Sequence, residues 1–261
     1  MTLSGLLDRY SNLFVKPFMI MTVSVIAAIL TIAPFVIQFK TAPSLGMFKD
    51  LWFCRLWSLL GPISTKKDAI HVHPLVQQAR GVVLDVGPGS GLVVNCFDKS
   101  KIEKIYGIEP CLDLHHQLHR NIRAAGLSDI YTVVGCGAED TDKLREYGIT
   151  PESVNTIVTI KVLCSVPTPE KTIESLYKLL VPGGQWLVFE HTQNRHSWLT
   201  RVFQAIYQLA WPHLLSGCNI NRRTDDILAN AGLWDMNELE VPKGEFHWDI
   251  IPHTAGRLVK A

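Results

Sequence analysis

The stretch VVLDVGPGSGL, Val82 to Leu92, limits what this chain can fold into more than any other. Val82, Val83, Leu84 and Val86 around Asp85 read as a buried strand, and Gly87, Gly89 and Gly91 then turn the chain sharply. Glycine takes positive φ at no steric cost and lets backbone approach a ligand closely, so the turn reads as a cradle. A dinucleotide cradle runs G-x-G-x-x-G, and counted from Gly87 the third glycine arrives one residue early. A P-loop is excluded because no Gly-Lys-Ser/Thr closes the turn. From Arg80 onward the apolar pattern alternates as in βαβ units, which predicts a parallel sheet. Strands are predicted at GVVLDV, KIYGIEP, IYTVVG, VNTIVTI and GQWLVFE, with shorter ones near NELEV and GRLVK. Helices are predicted after Gly91, over LDLHHQLHRNIRAAG and PEKTIESLYKLL, and again over SWLTRVFQAIYQLAW and TDDILANAG.

The amino-terminal part has another character. From Pro17 to Phe39 there is no charged residue, and Lys16 and Lys40 close the ends. About 20 such residues cross a hydrocarbon core of roughly 30 Å, and a membrane helix tolerates the proline at Pro34. A cleavable leader has an apolar run of only about 7–15 residues, so residues 1–43 read as a retained anchor. Arg9 and Lys16 before the segment nearly balance Lys40, Lys49 and Arg55 after it, which leaves orientation open by charge. Residues 44–79, with Trp52 and Trp57, read as interfacial or lid helices, and residues 80–261 as the catalytic domain. A net charge of +1 gives no reason to expect nucleic acid as a partner. The cysteines Cys54, Cys96, Cys111, Cys136, Cys164 and Cys218 form no C-x-x-C pair and no Cys/His ligand spacing. They read as reduced thiols, and no metal is expected, the His71/His73 pair having no partner ligands nearby.

The G-x-G-x-G loop behind a strand ending in LDV is similar to the first motif of class I S-adenosylmethionine-dependent methyltransferases. KVLCSVPTPEK, LLVPGGQWLVFEH, WPHLLSGCNINR and IPHTAGRLVK resemble the membrane-anchored alkyl-thiol methyltransferases of the methyltransferase-like group, from about Val82 to the end. The resemblance implies an α/β fold, a Rossmann-like seven-stranded mostly parallel sheet flanked by helices, behind an N-terminal transmembrane helix. It implies S-adenosyl-L-methionine as cofactor, held by Gly87, Gly89 and Gly91. Asp85 is then placed to take the ammonium, directly or through water, and Glu109 the ribose hydroxyls. Glu139 or Asp140 would meet the adenine, although Asp140 also reads as a helix cap, and Cys164 would line the cofactor pocket. The resemblance further implies an endoplasmic reticulum or lipid-droplet membrane with the catalytic domain cytosolic. Asn155 departs from the pattern, since class I enzymes often carry an acid there.

Methyl transfer from a sulfonium is an in-line displacement, so alignment of the acceptor dominates and Cys164 is not needed as a nucleophile. A thiol of pKa about 8.5 is partly ionised near neutrality, whereas a phenol near 10 gains more from a base. His191, just past the fifth strand, and His253, near the last, are the candidate bases. The expected acceptor is a small lipophilic thiol or hydroxyl that concentrates in the membrane. Two other readings stand beside this one: a catalytically silent membrane scaffold and a nicotinamide-dependent reductase.

Overall fold

A computed structural model describes residues 3–39 and 43–261. The sheet is built from β1 (Gly81–Val86), β2 (Ile102–Ile108), β3 (Tyr131–Val134), β4 (Val154–Ile160), β5 (Leu180–His191), β6 (Trp234–Asn237) and β7 (His253–Lys260). Its order is β3-β2-β1-β4-β5-β7-β6, parallel through β5, with β7 antiparallel to both β5 and β6. This is the seven-stranded, mostly parallel sheet expected above. Strand order reverses between β1 and β4, and open α/β sheets bind ligands in the crevice beyond the carboxyl ends at such a point.

Both faces of the sheet are covered, which explains why its strands read as almost continuous apolar runs. Alternation sends Leu84, Ile108, Ile157 and Trp186 to one face, against Leu176 of α6 (Pro169–Leu179). Val83, Ile105, Val158 and Leu187 go to the other, against Leu118 and Ile122 of α4 (Leu112–Ala124). On this second face the expected helix after Gly91 is replaced by turns and two short 3-10 segments, Val94–Cys96 and Lys99–Lys101. Asn95, Asp98 and Ser100 favour local side-chain bonds over helix, and Asp98 Oδ1 accepts from Ser100 N–H at 3.1 Å. The groove is filled instead from upstream: Val72, Leu75, Val76 and Ala79 pack there beside Val94 and Phe97. Near the end of the chain β6 begins earlier than the predicted NELEV strand and shares only Asn237 with it; beyond β6, Glu240 forms an isolated bridge to Ala255 of β7.

The segment 44–79 forms chiefly one helix, α3 (Leu45–Val76), capped by Ser44 and running on through Pro62 and Pro74. Before it, residues Leu3–Ile37 form a helix long and apolar enough to cross a membrane. It comprises the helices α1 (Leu3–Tyr10) and α2 (Lys16–Pro34), joined by a π turn at Ser11–Val15. This helix is not free-standing. Trp52 Nε1 donates to the Ser24 carbonyl at 2.9 Å and Arg55 to that of Leu30 at 2.6 Å. Nearer its start, Tyr207 of α7 (Trp198–Gln208) donates to the Leu13 carbonyl at 2.8 Å, and Ile250 N–H to Asn12 Oδ1 at 2.8 Å.

Asn155 has a structural duty at the edge opposite the crevice. Its Oδ1 accepts from Val82 N–H at 2.8 Å, and Gly81, at φ 63°, leaves room for it: a Cβ there would lie 2.4 Å from that oxygen. Asn155→Ala strands the Val82 donor and should destabilise the fold by about 1–3 kcal/mol. Denaturant melts check that loss, and titration with S-adenosylmethionine should show unchanged affinity, because the change sits at the far edge of the sheet.

Candidate active site

The glycine turn bends in the left-handed region, with φ of 66° at Gly87 and 58° at Gly89. A Cβ on Gly87 would stand 2.5 Å from Val162 Cγ2, and one on Gly89 would stand 3.0 Å from the indole nitrogen of Trp57. Two carboxylates shape the cradle from below. Glu109, at the end of β2 and almost fully buried, accepts from Gly89 N–H and Cys111 N–H, each at 2.9 Å. Burial pushes its carboxyl up, against the pull of those two donors. Asp85 is also buried, and Tyr131 donates its hydroxyl to Asp85 Oδ2 at 2.7 Å. Desolvation raises the Asp85 carboxyl to about 7 even so. Tyr131 reaches Asp85 because Gly107 has no side chain; a Cβ there would meet the tyrosine oxygen at 2.3 Å.

A small cavity opens on this cradle, lined by Trp57, Thr65, Asp85, Gly87, Pro88 and Lys161 among others. Trp57 and Thr65 come from α3, so this helix roofs the site. The Trp57 indole N–H is buried and has no hydrogen-bond partner among the described residues. Lys161, directly after β4, takes φ of 57°, a strained conformation for a residue other than glycine. Its buried ammonium pairs with Asp68 of α3 at 2.8 Å and donates to Ser64 at 2.6 Å. This ion pair ties the roof to the sheet.

Beyond the cradle, β5 and β7 bring the two candidate bases together, with His191 and His253 ring centroids 4.9 Å apart. His253 is buried, stacks on Phe189 at 4.6 Å and is held through Nδ1 by Glu245 in a short contact. Burial first, then the neighbouring His191 and Lys161, hold His253 well below the ordinary imidazole range. Burial raises Glu245 to about 7. His191 is half-buried and faces Cys218 Sγ at 3.6 Å through Nδ1.

Of the residues singled out from sequence, Asp85, Gly87, Gly89, Gly91 and Glu109 meet at one loop. Asp140 caps α5 (Thr141–Glu146), accepting from Lys143 N–H at 3.0 Å, while Glu139 is exposed and folded back over Gly137. Cys164 is turned away from the cradle into a buried cluster with Trp211, Cys218 and Ile220. Sequence reasoning missed Trp57, Asp68, Lys161, Tyr131 and Glu245. The one available signal was Gly107 in KIYGIEP, a glycine inside a strand, which marks a close approach by another group.

The family described as methyltransferase domain matches residues 64–232. The thiol S-methyltransferase TMT1B of Homo sapiens is 26% identical over 238 residues, covering 83% of this chain and 90% of the relative. Among solved structures, an O-methyltransferase family protein from Burkholderia thailandensis superposes with a TM-score of 0.52 at 14% identity, over 83% of this chain and 60% of that one. The cyclase SpnF superposes with a TM-score of 0.50 at 19% identity, over 65% and 58%. At such identities these likenesses show the fold alone, and the cyclase illustrates that one fold hosts more than one chemistry.

The Lys161–Asp68 pair yields a direct test of the roof. Asp68→Asn leaves a buried cation without its partner and should cost about 3–5 kcal/mol. Replacing both residues by apolar ones of similar volume, Asp68→Leu with Lys161→Met, should recover much of that loss. Thermal melts of the single and double variants measure both outcomes.

Proposed function

We propose, on the premise that this chain belongs to the methyltransferase-domain family, that it methylates a small lipophilic thiol while held at a membrane by its N-terminal helix. The cofactor of the enzyme is S-adenosylmethionine, and the residues present fit it. The cradle excludes a Cβ at Gly87 and Gly89, the Trp57 indole N–H lies buried without an acceptor among the described residues, and two buried carboxylates line or underlie the cavity. When bound, the cofactor supplies an electrophilic methyl on a sulfonium. Asp85 takes its ammonium, and Glu109, which keeps further lone pairs beside its two backbone donors, takes the ribose hydroxyls. Glu139 is left for the adenine, since Asp140 is spent on its cap. The roof helix α3 excludes water from the cradle, and Trp57 closes it over Gly89.

The observation that carries the acceptor reading is the similarity to the thiol S-methyltransferase relative, which extends over 90% of that protein's length. The geometry at the β5–β7 end suits a thiol. His253 is committed through Nδ1 to Glu245, so Nε2 is the nitrogen left to accept a proton. Such a weak base suffices for a thiol that is already partly ionised and serves a phenol poorly. The apolar character of the acceptor is supported by the neighbouring helix, for Leu13 packs in the same cluster as Cys164, Cys218 and Trp211. A lipophilic molecule in the membrane thus lies beside the acceptor end. Trp198, Val202, Ile206 and Leu209 expose a stripe on α7 and the turn after it, while Phe203 of that helix meets Phe14 edge to face, which extends the apolar surface. Among the described residues all six cysteines are unbridged, in keeping with a catalytic domain on the cytosolic side of an endoplasmic reticulum or lipid-droplet membrane.

Labelled methyl transfer by the full-length protein in detergent, with an alkyl thiol and a matched phenol in competition, tests the reading. Label should go to the thiol; label on the phenol alone would move the enzyme to O-methylation and leave cofactor and fold in place. The cofactor assignment has its own pH signature. Asp85, raised to about 7, must be ionised to hold an ammonium, so binding is full above that pH and is lost as pH falls through it. The dissociation constant for S-adenosylmethionine should rise about tenfold per pH unit below about 7 in the wild type. Asp85→Asn should bind weakly and with a flat pH profile; an unaltered slope in that variant assigns the titration elsewhere.

A further inference from the structure

Outside the cradle the fold gathers three soft ligands that no spacing in the sequence announces. Cys164 follows β4, His191 ends β5 and Cys218 lies in the loop after α8 (Trp211–Leu214), yet their ligand atoms all lie within 4.8 Å of one another. Cys218 Sγ stands 3.6 Å from His191 Nδ1. Zinc bound tetrahedrally, with Zn–S about 2.3 Å and Zn–N about 2.0–2.1 Å, sets sulfur and nitrogen about 3.6 Å apart. The observed separation, also that of a thiol–imidazole hydrogen bond, lets both atoms ligate one ion without moving.

The loops that carry the two thiols are fastened to each other and to the sheet. Glu190 accepts from Val162 N–H at 3.0 Å and Leu163 N–H at 3.1 Å, immediately before Cys164. Arg222 donates to the carbonyls of Leu163 and, at 3.0 Å, Val166, and Asn219 N–H donates to the Cys164 carbonyl at 2.9 Å. Such support around a ligand set is what holds a metal site in shape. The Trp211 indole N–H is buried with no oxygen or nitrogen partner, and it faces the Cys218 sulfur. An orphan donor of that kind is satisfied by a thiolate. A divalent cation held between Cys164 and Cys218 would neutralise both sulfurs in this buried place.

We propose that Cys164, His191 and Cys218 form a three-ligand site for a thiophilic divalent cation, Zn²⁺ first, with a fourth position on the half-buried side of His191 that takes the acceptor sulfur. The fourth-position step rests on the thiol-acceptor reading; the three-ligand site does not. Loading the ion changes no oxidation state and releases the thiol protons still present, up to two. Three protein ligands with one open position are the arrangement of catalytic rather than structural zinc, and a thiol that coordinates is deprotonated outright. The ion would thus favour the thiolate of the acceptor, whose proton would leave to solvent or to His253 Nε2, the ring of His253 lying 4.9 Å from that of His191.

The test uses the full-length protein purified in detergent without chelator. Elemental analysis should find about one zinc per chain, and Cys164→Ser with Cys218→Ser should reduce it to less than about a tenth. S-adenosylmethionine binding, followed in parallel, shows that the double variant is folded. Cobalt chloride added to chelator-treated wild type should give strong thiolate-to-metal absorption, which an alkyl thiol should shift. The three-ligand site is overturned if wild type holds no metal and cobalt gives only weak absorption. It is equally overturned if the double serine variant keeps its zinc, or if mass spectrometry finds Cys164 and Cys218 joined by a disulfide. A cobalt spectrum that forms but ignores the thiol overturns the fourth-position step. Methylation of a phenol with the zinc and cobalt results intact marks a failure of the thiol reading, not of the site.

Discussion

The buried carboxylate of Glu109 is the contact on which the cradle depends. One oxygen holds the Gly89 N–H and the other the Cys111 N–H, so a single side chain joins the glycine turn after β1, the end of β2 and the start of α4. With that turn fixed, Gly87 lies against Val162 beyond β4 and Gly89 lies under Trp57 of α3. The price of burying a carboxylate is met by two backbone donors, and those donors belong to the segments that must be held. Asp85 repeats the device one strand away, with Tyr131 as donor and Gly107 as the gap that lets it through.

Above the cradle, α3 connects two environments. Its Asp68 pairs with Lys161 beside the cofactor cavity, and its Trp52 and Arg55 bond the helix that precedes it. That amino-terminal helix in turn reaches the β5–β7 end of the sheet, where Asn12 bonds Ile250 and Leu13 packs with Cys164 and Cys218. The amino-terminal helix, the roof and the β5–β7 end therefore form one contiguous structure. The sequence reading set residues 1–43 and 44–79 apart from the domain, because side-chain contacts across 93 positions, as between Asp68 and Lys161, or 238, as between Asn12 and Ile250, leave no local pattern.

What was legible follows the same division. Asp85, Gly87, Glu109 and the strands around them could be read because strand ends and tight turns impose local residue choices. The helix expected after Gly91 failed because VVNCFDKSK bonds locally and α3, remote in sequence, fills the groove it would have used. Asp140 shows the ambiguity of short polar residues after a strand: the same acid suits a ligand or a cap, and here it caps. Lys161 had no signal, since it matters through Asp68, 93 positions away, and Trp57 was legible only as part of an interfacial or lid segment. Cys164 was chosen for its position after β4, and only the fold shows that its side chain turns toward His191 and Cys218.

Calorimetric titration of the full-length protein in detergent with S-adenosylmethionine and, separately, with a reduced nicotinamide dinucleotide tests the central claim most directly. The account predicts saturable binding of S-adenosylmethionine that Glu109→Ala abolishes, and none of the dinucleotide. Binding of the dinucleotide in preference, or S-adenosylmethionine affinity indifferent to Glu109, would contradict it.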